Sequence, residues 1–288
     1  MKFELHCHSC YSKGTKIPWE GIPRPEDIIR KAKALGLSGI AITDHRTTRA
    51  WNSARKEAKR QGILFIPGVE LQTKSGHLIA LGITEPVENF LDVDETIERI
   101  HELGGVSVAP HPFDLKGEGV GSLAFRTDAV EVFNSLNIDM VSNRFARSIF
   151  RNAGIPKIAG SDAHTLGMIG YSVNIIDACT IHDVLKNIKK GKVLFRTKYV
   201  PMDEIINWTR ERLLRSRKEV VRYVNSHYSP PKAWLYRKLM KKFLGTGNTP
   251  WRVLAEMSLQ ASRAYGVLKI IKYSVNARSG STSHRRSP

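Results

Sequence analysis

The chain has 288 residues, of which 41% are hydrophobic, so it can bury a full core and is not disordered as a whole. Its longest apolar runs fall well short of the roughly 20 residues that a membrane-spanning helix needs. The net charge of +18 is uneven, because residues 201–288 hold 18 of the 45 Lys and Arg residues but 5 of the 27 Asp and Glu residues.

The first apolar run contains a His-x-His motif, Phe3-Glu4-Leu5-His6-Cys7-His8. In an extended strand alternate side chains share a face, so His6 and His8 point to one side and Cys7 to the other. Two imidazoles at this spacing can converge on one metal ion. Alone the motif is weak evidence, since paired histidines are also common on half-exposed strands.

The three cysteines, Cys7, Cys10 and Cys179, cannot pair evenly, and no signal-peptide pattern precedes the first run. We therefore expect a cytoplasmic protein without a transmembrane segment. Cys7 and Cys10 form a C-x-x-C pattern that is compatible with a redox pair or half of a zinc knuckle. The favoured interpretation is that Cys7 packs behind the strand and that Cys10 lies in a loop.

Helices and strands are then predicted to alternate up to residue 200. The predicted helices are 25–34, 48–60, 93–103, 139–153 and 181–190. The predicted strands after the first are 39–43, 63–69, 77–83, 106–110, 129–133, 156–161 and 192–196. Nearly all-apolar strands that alternate with helices favour parallel pairing covered by helices, which is an α/β barrel or a distorted barrel.

The predicted strands end in residues that bind metals. In parallel α/β folds, chemistry gathers at the carboxyl ends of the strands. His6 and His8, Asp44-His45, Glu70, His111, and Asp162 with His164 lie at these ends, and His77 begins the strand after Glu70. Imidazole and carboxylate suit divalent ions. The other histidines, His101, His182, His227 and His284, lie in helices or in the tail and are interpreted as surface residues.

These motifs resemble those of the polymerase and histidinol phosphatase (PHP) domain family. The matching segments are His6-Cys7-His8, Ile42-Thr43-Asp44-His45, Gly68-Val69-Glu70, Ala109-Pro110-His111-Pro112 and Gly160-Ser161-Asp162-Ala163-His164. The resemblance covers residues 1–200 and implies a distorted (β/α)7 barrel. It also implies two or three divalent ions, Mn²⁺, Zn²⁺ or Fe, and the hydrolysis of phosphoesters.

By this resemblance His6, His8, Glu70 and Asp162 hold one ion, and Glu70 bridges to a second ion that His77 and His111 hold. A third ion rests on His45 and His164. One departure concerns the third ion, because many members carry an acid or a histidine in the loop where this chain has Ser12-Lys13-Gly14. Since a protonated lysine cannot be a ligand, we expect Lys13 to leave the third site weak or empty.

Asp44, Glu70 and His164 are the predicted catalytic residues. Bound ions lower the pKa of water and stabilise an in-line displacement at phosphorus, and Glu70 has two oxygens with which to bridge them. Asp44 is compatible equally with orienting an imidazole or moving a proton, and with capping the following helix. Candidate cations for the substrate phosphate are Lys13, Arg46, Arg126 and Arg144, none assigned to catalysis.

Beyond Pro201 three helical segments are predicted, Met202 to Asn225, Pro230 to Gly245 and Pro250 to Tyr273. We divide the chain into a barrel domain (1–200), a basic helical extension (201–276) and a disordered tail (277–288). The extension is compatible with a helical cap on the barrel, with nucleic-acid binding through its basic residues and Trp234, Tyr236 and Trp251, and with attachment to an anionic surface.

The leading functional hypothesis is a metal-dependent hydrolase acting on a nucleotide, a small phosphate ester or the end of a nucleic acid. The alternative is a non-catalytic module that uses the same barrel to bind metal or nucleic acid for regulation. Lys13 favours the alternative, whereas the otherwise complete set of ligands favours the enzyme.

Overall fold

The computed structural model describes residues 1–14 and 17–282, with side chains to residue 270. Nine strands form one sheet: β1 (Lys2–Glu4), β2 (Gly39–Ile42), β3 (Leu64–Thr73), β4 (Gly76–Leu81), β5 (Val106–Ala109), β6 (Ala129–Asn134), β7 (Lys157–Gly160), β8 (Ser172–Ile175) and β9 (Leu194–Thr197). Five helices accompany them: α1 (Pro25–Ala34), α2 (Trp51–Gln61), α3 (Val93–Glu102), α4 (Val141–Phe150) and α5 (Ile181–Lys189). A 3₁₀ helix spans Gly121–Arg126.

The strand order is β7-β6-β5-β4-β3-β2-β1-β8-β9. The pairs β1–β2, β2–β3, β5–β6 and β6–β7 are parallel, and β4 and β8 are antiparallel to both of their neighbours, so seven of these nine strands run in one direction. The two edges of the parallel part meet beyond the strand ends, where Asp162 N donates to His6 O (3.0 Å) and His8 N donates to Ala163 O (2.8 Å). The sheet is thus a nearly closed barrel, which confirms the predicted fold class.

Asn174 strengthens this closure from β8. Its side-chain Oδ1 accepts a bond from Ala159 N (3.0 Å) and its Nδ2 donates to Ala159 O (2.7 Å). Because both groups of Ala159 are buried in β7, the amide satisfies a donor and an acceptor that the sheet leaves open at its seam.

Two strands depart from the expected parallel pairing. β4 is antiparallel to both β3 and β5, because β3 continues three residues past Glu70 to Thr73 and turns directly into β4. β8 was absent from the predicted elements and pairs antiparallel with β1 and β9. A four-residue strand with Ser and Asn in it has little pattern of its own, so its pairing is set by the barrel edge.

The five helices of residues 1–200 form where the sequence predicts them, with ends that differ by at most three residues. α1 has Pro25 in its first turn followed by Glu26 and Asp27, and α2 ends at Gly62, whose φ of 65° is the left-handed conformation of a C-terminal cap. Cys7 lies on the outer side of the first run, fully buried, and its thiol donates to Ala41 O (3.2 Å). His6 and His8 therefore face the other side, towards the barrel mouth.

The C-terminal part contains α6 (Met202–Arg215), α7 (Arg217–His227), α8 (Pro230–Gly245) and α9 (Thr249–Thr282). The helix expected over Met202 to Asn225 is two helices, because Ser216 leaves helical geometry and its hydroxyl accepts a bond from Trp19 N (3.1 Å). α9 continues through 277–282, which we expected to be disordered, since extending a helix is easier than starting one. Residues 283–288, with His284, lie outside the described residues.

Among the described residues, no helix combines the length and the apolar character that a bilayer-spanning segment requires.

Candidate metal centre

Glu70 lies at the centre of a histidine cluster at the barrel mouth. Its Oε2 lies 3.3 Å from His6 Nε2, from His8 Nε2 and from His45 Nδ1. Its Oε1 lies 2.9 Å from His77 Nδ1 and 3.1 Å from His111 Nε2. One carboxylate thus contacts all five imidazoles, although they come from four different segments of the chain.

Asp162 and His164 complete the cluster from the other side. Asp162 Oδ1 lies 3.1 Å from His8 Nε2 and 3.4 Å from His6 Nε2. The His164 ring stacks on His8 with centroids 4.4 Å apart, and its Nδ1 lies 2.7 Å from the backbone oxygen of Asp162. The structure therefore brings together all eight side chains for which we predicted a metal-binding role.

The backbone at this cluster adopts conformations that are unfavourable for side-chain-bearing residues. His111 and Asp162 have φ angles of 31° and 54°, and Arg46, next to His45, has 57°. Such conformations cost about 1–3 kcal/mol each and persist where the surrounding structure fixes them, typically at functional sites. Three of the five non-glycine residues with positive φ in the described structure thus lie at or beside predicted ligands, and the other two are Phe90 and Met140.

The charges in the cluster balance each other. Burial alone would raise the pKa of Glu70, but the imidazoles of His45, His77 and His6 hold it well below its usual range. Burial likewise opposes the charge on His8 and His111. The carboxylates nevertheless raise the pKa of each to about 9. On His8 the hydrogen bond with Asp162 has the largest effect and that with Glu70 the next, whereas Glu70 has the larger effect on His111 and Asp162 the smaller one. Burial also opposes the charge on His6, but Glu131, Asp162 and Glu70 raise its pKa well above its usual range, so all three imidazoles favour the protonated form at neutral pH.

His45 and His164 have the opposite protonation. Burial, reinforced by the neighbouring His8, lowers the pKa of His164 well below its usual range. Burial also lowers the pKa of His45 to about 3, outweighing the attraction of Glu70. Both imidazoles are neutral at pH 7, which is the form that binds metal ions.

The donor atoms fit divalent ions. Three groups each have ligand atoms within 4.8 Å of one another: His6, His8 and Glu70; His45, Glu70 and His77; and His8, His45 and His164. Within the first group the donor atoms lie 3.1–3.3 Å apart, a separation that two zinc–nitrogen or zinc–oxygen bonds of about 2.0–2.2 Å span. The ring nitrogens His111 Nδ1 and His164 Nε2 are buried without a hydrogen-bond partner in the described part of the chain, as expected of unused ligand atoms.

Several residues that support the ligands were missed in the sequence. Glu131, on β6, accepts a bond from His6 Nδ1 (2.8 Å), while Ser12 Oγ lies 3.0 Å from His8 Nδ1 and Gln72 Oε1 2.9 Å from His77 Nε2. Such contacts fix the tautomer that turns the other ring nitrogen towards an ion. Glu131 had a detectable signal, because a carboxylate inside an apolar strand must have a partner.

Glu20 is another carboxylate that the sequence did not reveal. Its Oε2 lies 3.4 Å from His45 Nε2, on the side of the ring away from Glu70. Burial raises its pKa, although the neighbouring charges of His8 and Arg212 act in the opposite direction. The loop with Lys13 was predicted to supply no acidic ligand. Glu20, seven residues beyond Lys13, nevertheless brings a carboxylate to the His45 side of the cluster.

Asp44 contacts neither an imidazole nor the next helix. Its Oδ1 accepts a bond from Ser9 N and its Oδ2 from Ser9 Oγ, both at 2.6 Å. The helix-capping alternative does not hold, because α2 begins at Trp51 after Ala50. Asp44 instead fixes the turn that follows His8.

A cavity of about 400 Å³ opens beside the histidines. Its lining includes His45, His77, Glu20, Glu118, Lys13, Arg46, Lys116 and Arg212. Of the candidate cations, Lys13 and Arg46 therefore reach it, and the Lys13 amine also lies over the Trp19 ring, 3.6 Å from its centroid. Arg126 pairs with Asp94 at the surface, and Arg144 is exposed on α4.

The remaining cysteines and histidines lie outside the cluster. The cysteines are free, so Cys7 and Cys10 form no disulfide. His101 pairs with Asp128 (2.7 Å), and His182 and His227 are on helices at the surface.

The sequence profile of the PHP domain matches residues 4–119, and that of a PHP-associated region matches residues 141–193. The uncharacterized protein MJ1587 of Methanocaldococcus jannaschii is 36% identical over 152 residues, which are 51% of this chain and 89% of that protein. A 5'-3' exoribonuclease of Haemophilus influenzae is 36% identical over 111 residues, 37% of this chain and 38% of that protein.

Among solved structures, a two-domain protein of Bacteroides vulgatus that contains a predicted PHP-like metal-dependent phosphoesterase has the same fold. Its TM-score is 0.57 at 17% identity, and the match covers 74% of this chain and 69% of that one. With the profile match and the relative covered over most of its length, these findings agree with the motifs at the strand ends. The chain belongs to the PHP family.

Proposed function

We propose that this protein is a metal-dependent phosphoesterase. The observation that supports the proposal is the convergence of six imidazoles and the carboxylates of Glu70 and Asp162 in one buried cluster beside a cavity with basic walls. Clusters of this composition bind two or three divalent ions, and a cavity lined by cations suits an anionic ester.

In this proposal His6, His8, Glu70 and Asp162 hold one ion, and Glu70 also serves a second ion with His77 and His111. The separations favour a larger role for His45 than the family resemblance implies, because His45 lies with Glu70 and His77 as well as with His8 and His164. Glu20 supplies the carboxylate for this side of the cluster. Bound divalent ions lower the pKa of water and stabilise the charge that develops at phosphorus.

The protein's own groups orient the ligands and handle protons. Glu131 holds the proton of His6 on Nδ1 and so leaves Nε2 free for a ligand role. His164 Nε2, neutral and without a partner in the described structure, is available to bind an ion. Asp44 acts on the reaction only by holding the turn after His8 through Ser9.

The substrate is proposed to be a nucleotide or the end of a nucleic acid. The cavity has space for a nucleotide-sized group, and Lys13 and Arg46 offer charge to its phosphate. The similarity to the exoribonuclease and the basic character of residues 201–288 support this class. In the extension Trp234 is exposed with the Lys238 amine over its ring, an arrangement that suits a base and a phosphate, so nucleic-acid binding by the extension is the second candidate function.

The test is a substrate panel of mononucleotides, histidinol phosphate, cyclic nucleotides and short oligonucleotides, run with Mn²⁺, Zn²⁺ or Fe²⁺. We expect hydrolysis that chelation abolishes. His8→Ala and Asp162→Ala should lose both bound metal and activity while remaining folded, whereas His182→Ala, an exposed histidine on α5, should behave as wild type. Full activity of either ligand variant, or of chelated protein, would refute the proposal.

A further inference from the structure

One face of α6 binds the loop that carries Glu20. Trp208 and Arg212 lie one helical turn apart and share a face of α6, and Ser216 follows directly after the helix. Trp208 Nε1 donates to Glu20 O (2.8 Å), Arg212 Nε donates to Trp19 O (2.9 Å), and Ser216 Oγ accepts from Trp19 N (3.1 Å). Three consecutive turns of the extension thus fix two residues of the barrel domain.

The same face reaches the histidine cluster. The Trp208 ring lies against His164 with centroids 4.6 Å apart, and the Arg212 guanidinium lies over the Trp208 ring at 4.6 Å. Both residues lie outside the two ranges that the family profiles match, 4–119 and 141–193. α6 is therefore part of the wall of the site although it lies beyond the matched regions.

Arg212 is held in a position suited to an anionic ligand. Its side chain is 17% exposed and lines the cavity together with His45 and His77. The bond from Nε and the contact with Trp208 fix the plane of the guanidinium, which leaves its two Nη groups for a ligand. Arg212 forms a long ion pair with Glu20, 3.9 Å between Nη2 and Oε1, which exceeds hydrogen-bond distance and leaves the Nη hydrogens for a ligand.

Other cations of the cavity are less constrained. Lys13 and Arg46 are exposed, and the Lys116 amine is on a side chain that is 67% exposed and lies 3.6 Å from Glu118. Fixing a long side chain on binding costs conformational entropy, and a guanidinium that is already fixed avoids most of this cost. Arg212 is thus the cation in the described cavity best prepared to bind a phosphate.

We propose that Arg212, supplied by the C-terminal extension, binds the phosphate of the substrate through its two Nη groups and makes α6 a specificity-determining part of the active site. The proposal rests on the phosphoesterase function proposed above. It assigns the extension a role in substrate binding that is independent of contact with a larger nucleic acid.

The informative variant is Arg212→Gln, because the amide nitrogen of Gln occupies the position of Arg Nε. It keeps the bond to Trp19 O and removes only the Nη groups. In the full-length, Mn²⁺-loaded protein we expect the KM for the best ester of the panel to rise about tenfold or more, with kcat within about threefold of wild type. The Ki for inorganic phosphate should rise by the same factor. Arg212→Lys should restore part of the loss, and Arg217→Ala, an exposed cation of α7, should change neither value.

Two further outcomes decide the proposal. Unchanged KM and Ki in Arg212→Gln would overturn the proposal. A loss of bound metal or of kcat with an unchanged KM would also overturn it, because Arg212 would then act only by positioning the loop. If wild type hydrolyses no ester, the proposed function fails. Calorimetric binding of inorganic phosphate to Mn²⁺-loaded wild type and Arg212→Gln still decides the inference, since equal affinities would refute it.

Discussion

Glu131 offers a sharp test of how the protein prepares its ligands. Its carboxylate accepts three bonds, from His6 Nδ1 (2.8 Å), from His111 N (3.1 Å) and from the Asn134 amide (3.1 Å). All three partners donate, so they require an acceptor on both oxygens. The substitution Glu131→Gln keeps the size of the side chain and replaces one acceptor by a donor.

The glutamine has two orientations, and the structure decides between them. If its amide nitrogen faces His111 N and the Asn134 amide, hydrogen-bond donors face each other in two places, and each such contact costs about 1–3 kcal/mol. If its nitrogen faces His6, one contact is affected and His6 can adapt by moving its proton from Nδ1 to Nε2. The second orientation is therefore favoured. It places a hydrogen on the nitrogen that points at Glu70 and His8, where an ion would bind.

We expect Glu131→Gln to lower metal affinity about 10- to 100-fold, which corresponds to roughly 1.4–2.7 kcal/mol. Competition with a chromogenic chelator measures the affinity, and ¹⁵N histidine spectra report the tautomer of His6. Glu98→Gln, on the exposed face of α3, is the matched control. An affinity within twofold of wild type, with His6 still protonated on Nδ1, would show that the carboxylate does not set the tautomer.

Three further predictions concern protons, the barrel seam and α6. Metal binding at pH 7 should release protons from His8 and His111, and the affinity should rise about 10- to 100-fold per pH unit up to about pH 9, measured by calorimetry in buffers of different ionisation enthalpy. Without metal, these raised pKa values stabilise the fold below about pH 6.5, and the contribution is lost as pH rises through about 9. Asn174→Ala should destabilise the protein by about 2 kcal/mol or more in urea titrations, because Ala159 loses two buried partners, whereas the exposed Asn52→Ala should not. Trp208→Phe should cost about 1 kcal/mol by removing the bond to Glu20 O, with the exposed Trp234→Phe as the comparison; equal stabilities would contradict the assigned bond.

Apart from His77, which begins a strand, the ligands were predictable from the sequence because they lie at the carboxyl ends of apolar strands. Parallel strands bring their carboxyl ends to one edge, so strand-end residues such as His6, His111 and Asp162 meet without any knowledge of the loops. The reversal of β4 was not predictable from the strand itself, since its apolar residues suit either direction. It nevertheless places His77 next to Glu70, as β3 and β4 form a tight hairpin.

The supporting residues were less accessible to sequence reasoning. Glu20 and Arg212 are 192 positions apart and meet only because α6 packs across the loop after β1, a contact that no local pattern encodes. Ser216 interrupts the predicted helix through a hydrogen bond to Trp19, a residue 197 positions away in the sequence. Local preference and periodicity describe single elements, whereas these contacts depend on where complete elements dock.

Closure of the barrel and assembly of the metal centre are the same structural event. Two bonds join the two edges, Asp162 N to His6 O and His8 N to Ala163 O, and three of their four backbone groups belong to predicted ligands. An ion held by His6, His8 and Asp162 would therefore connect both sides of the seam. A ligand that binds only the folded state stabilises that state, by about 2.7 kcal/mol when the free ligand concentration is a hundred times its Kd. A bound metal ion would therefore hold the barrel closed, and the closed barrel would in turn form the metal site. The same coupling would help to hold Asp162, which follows β7, at its positive φ of 54°.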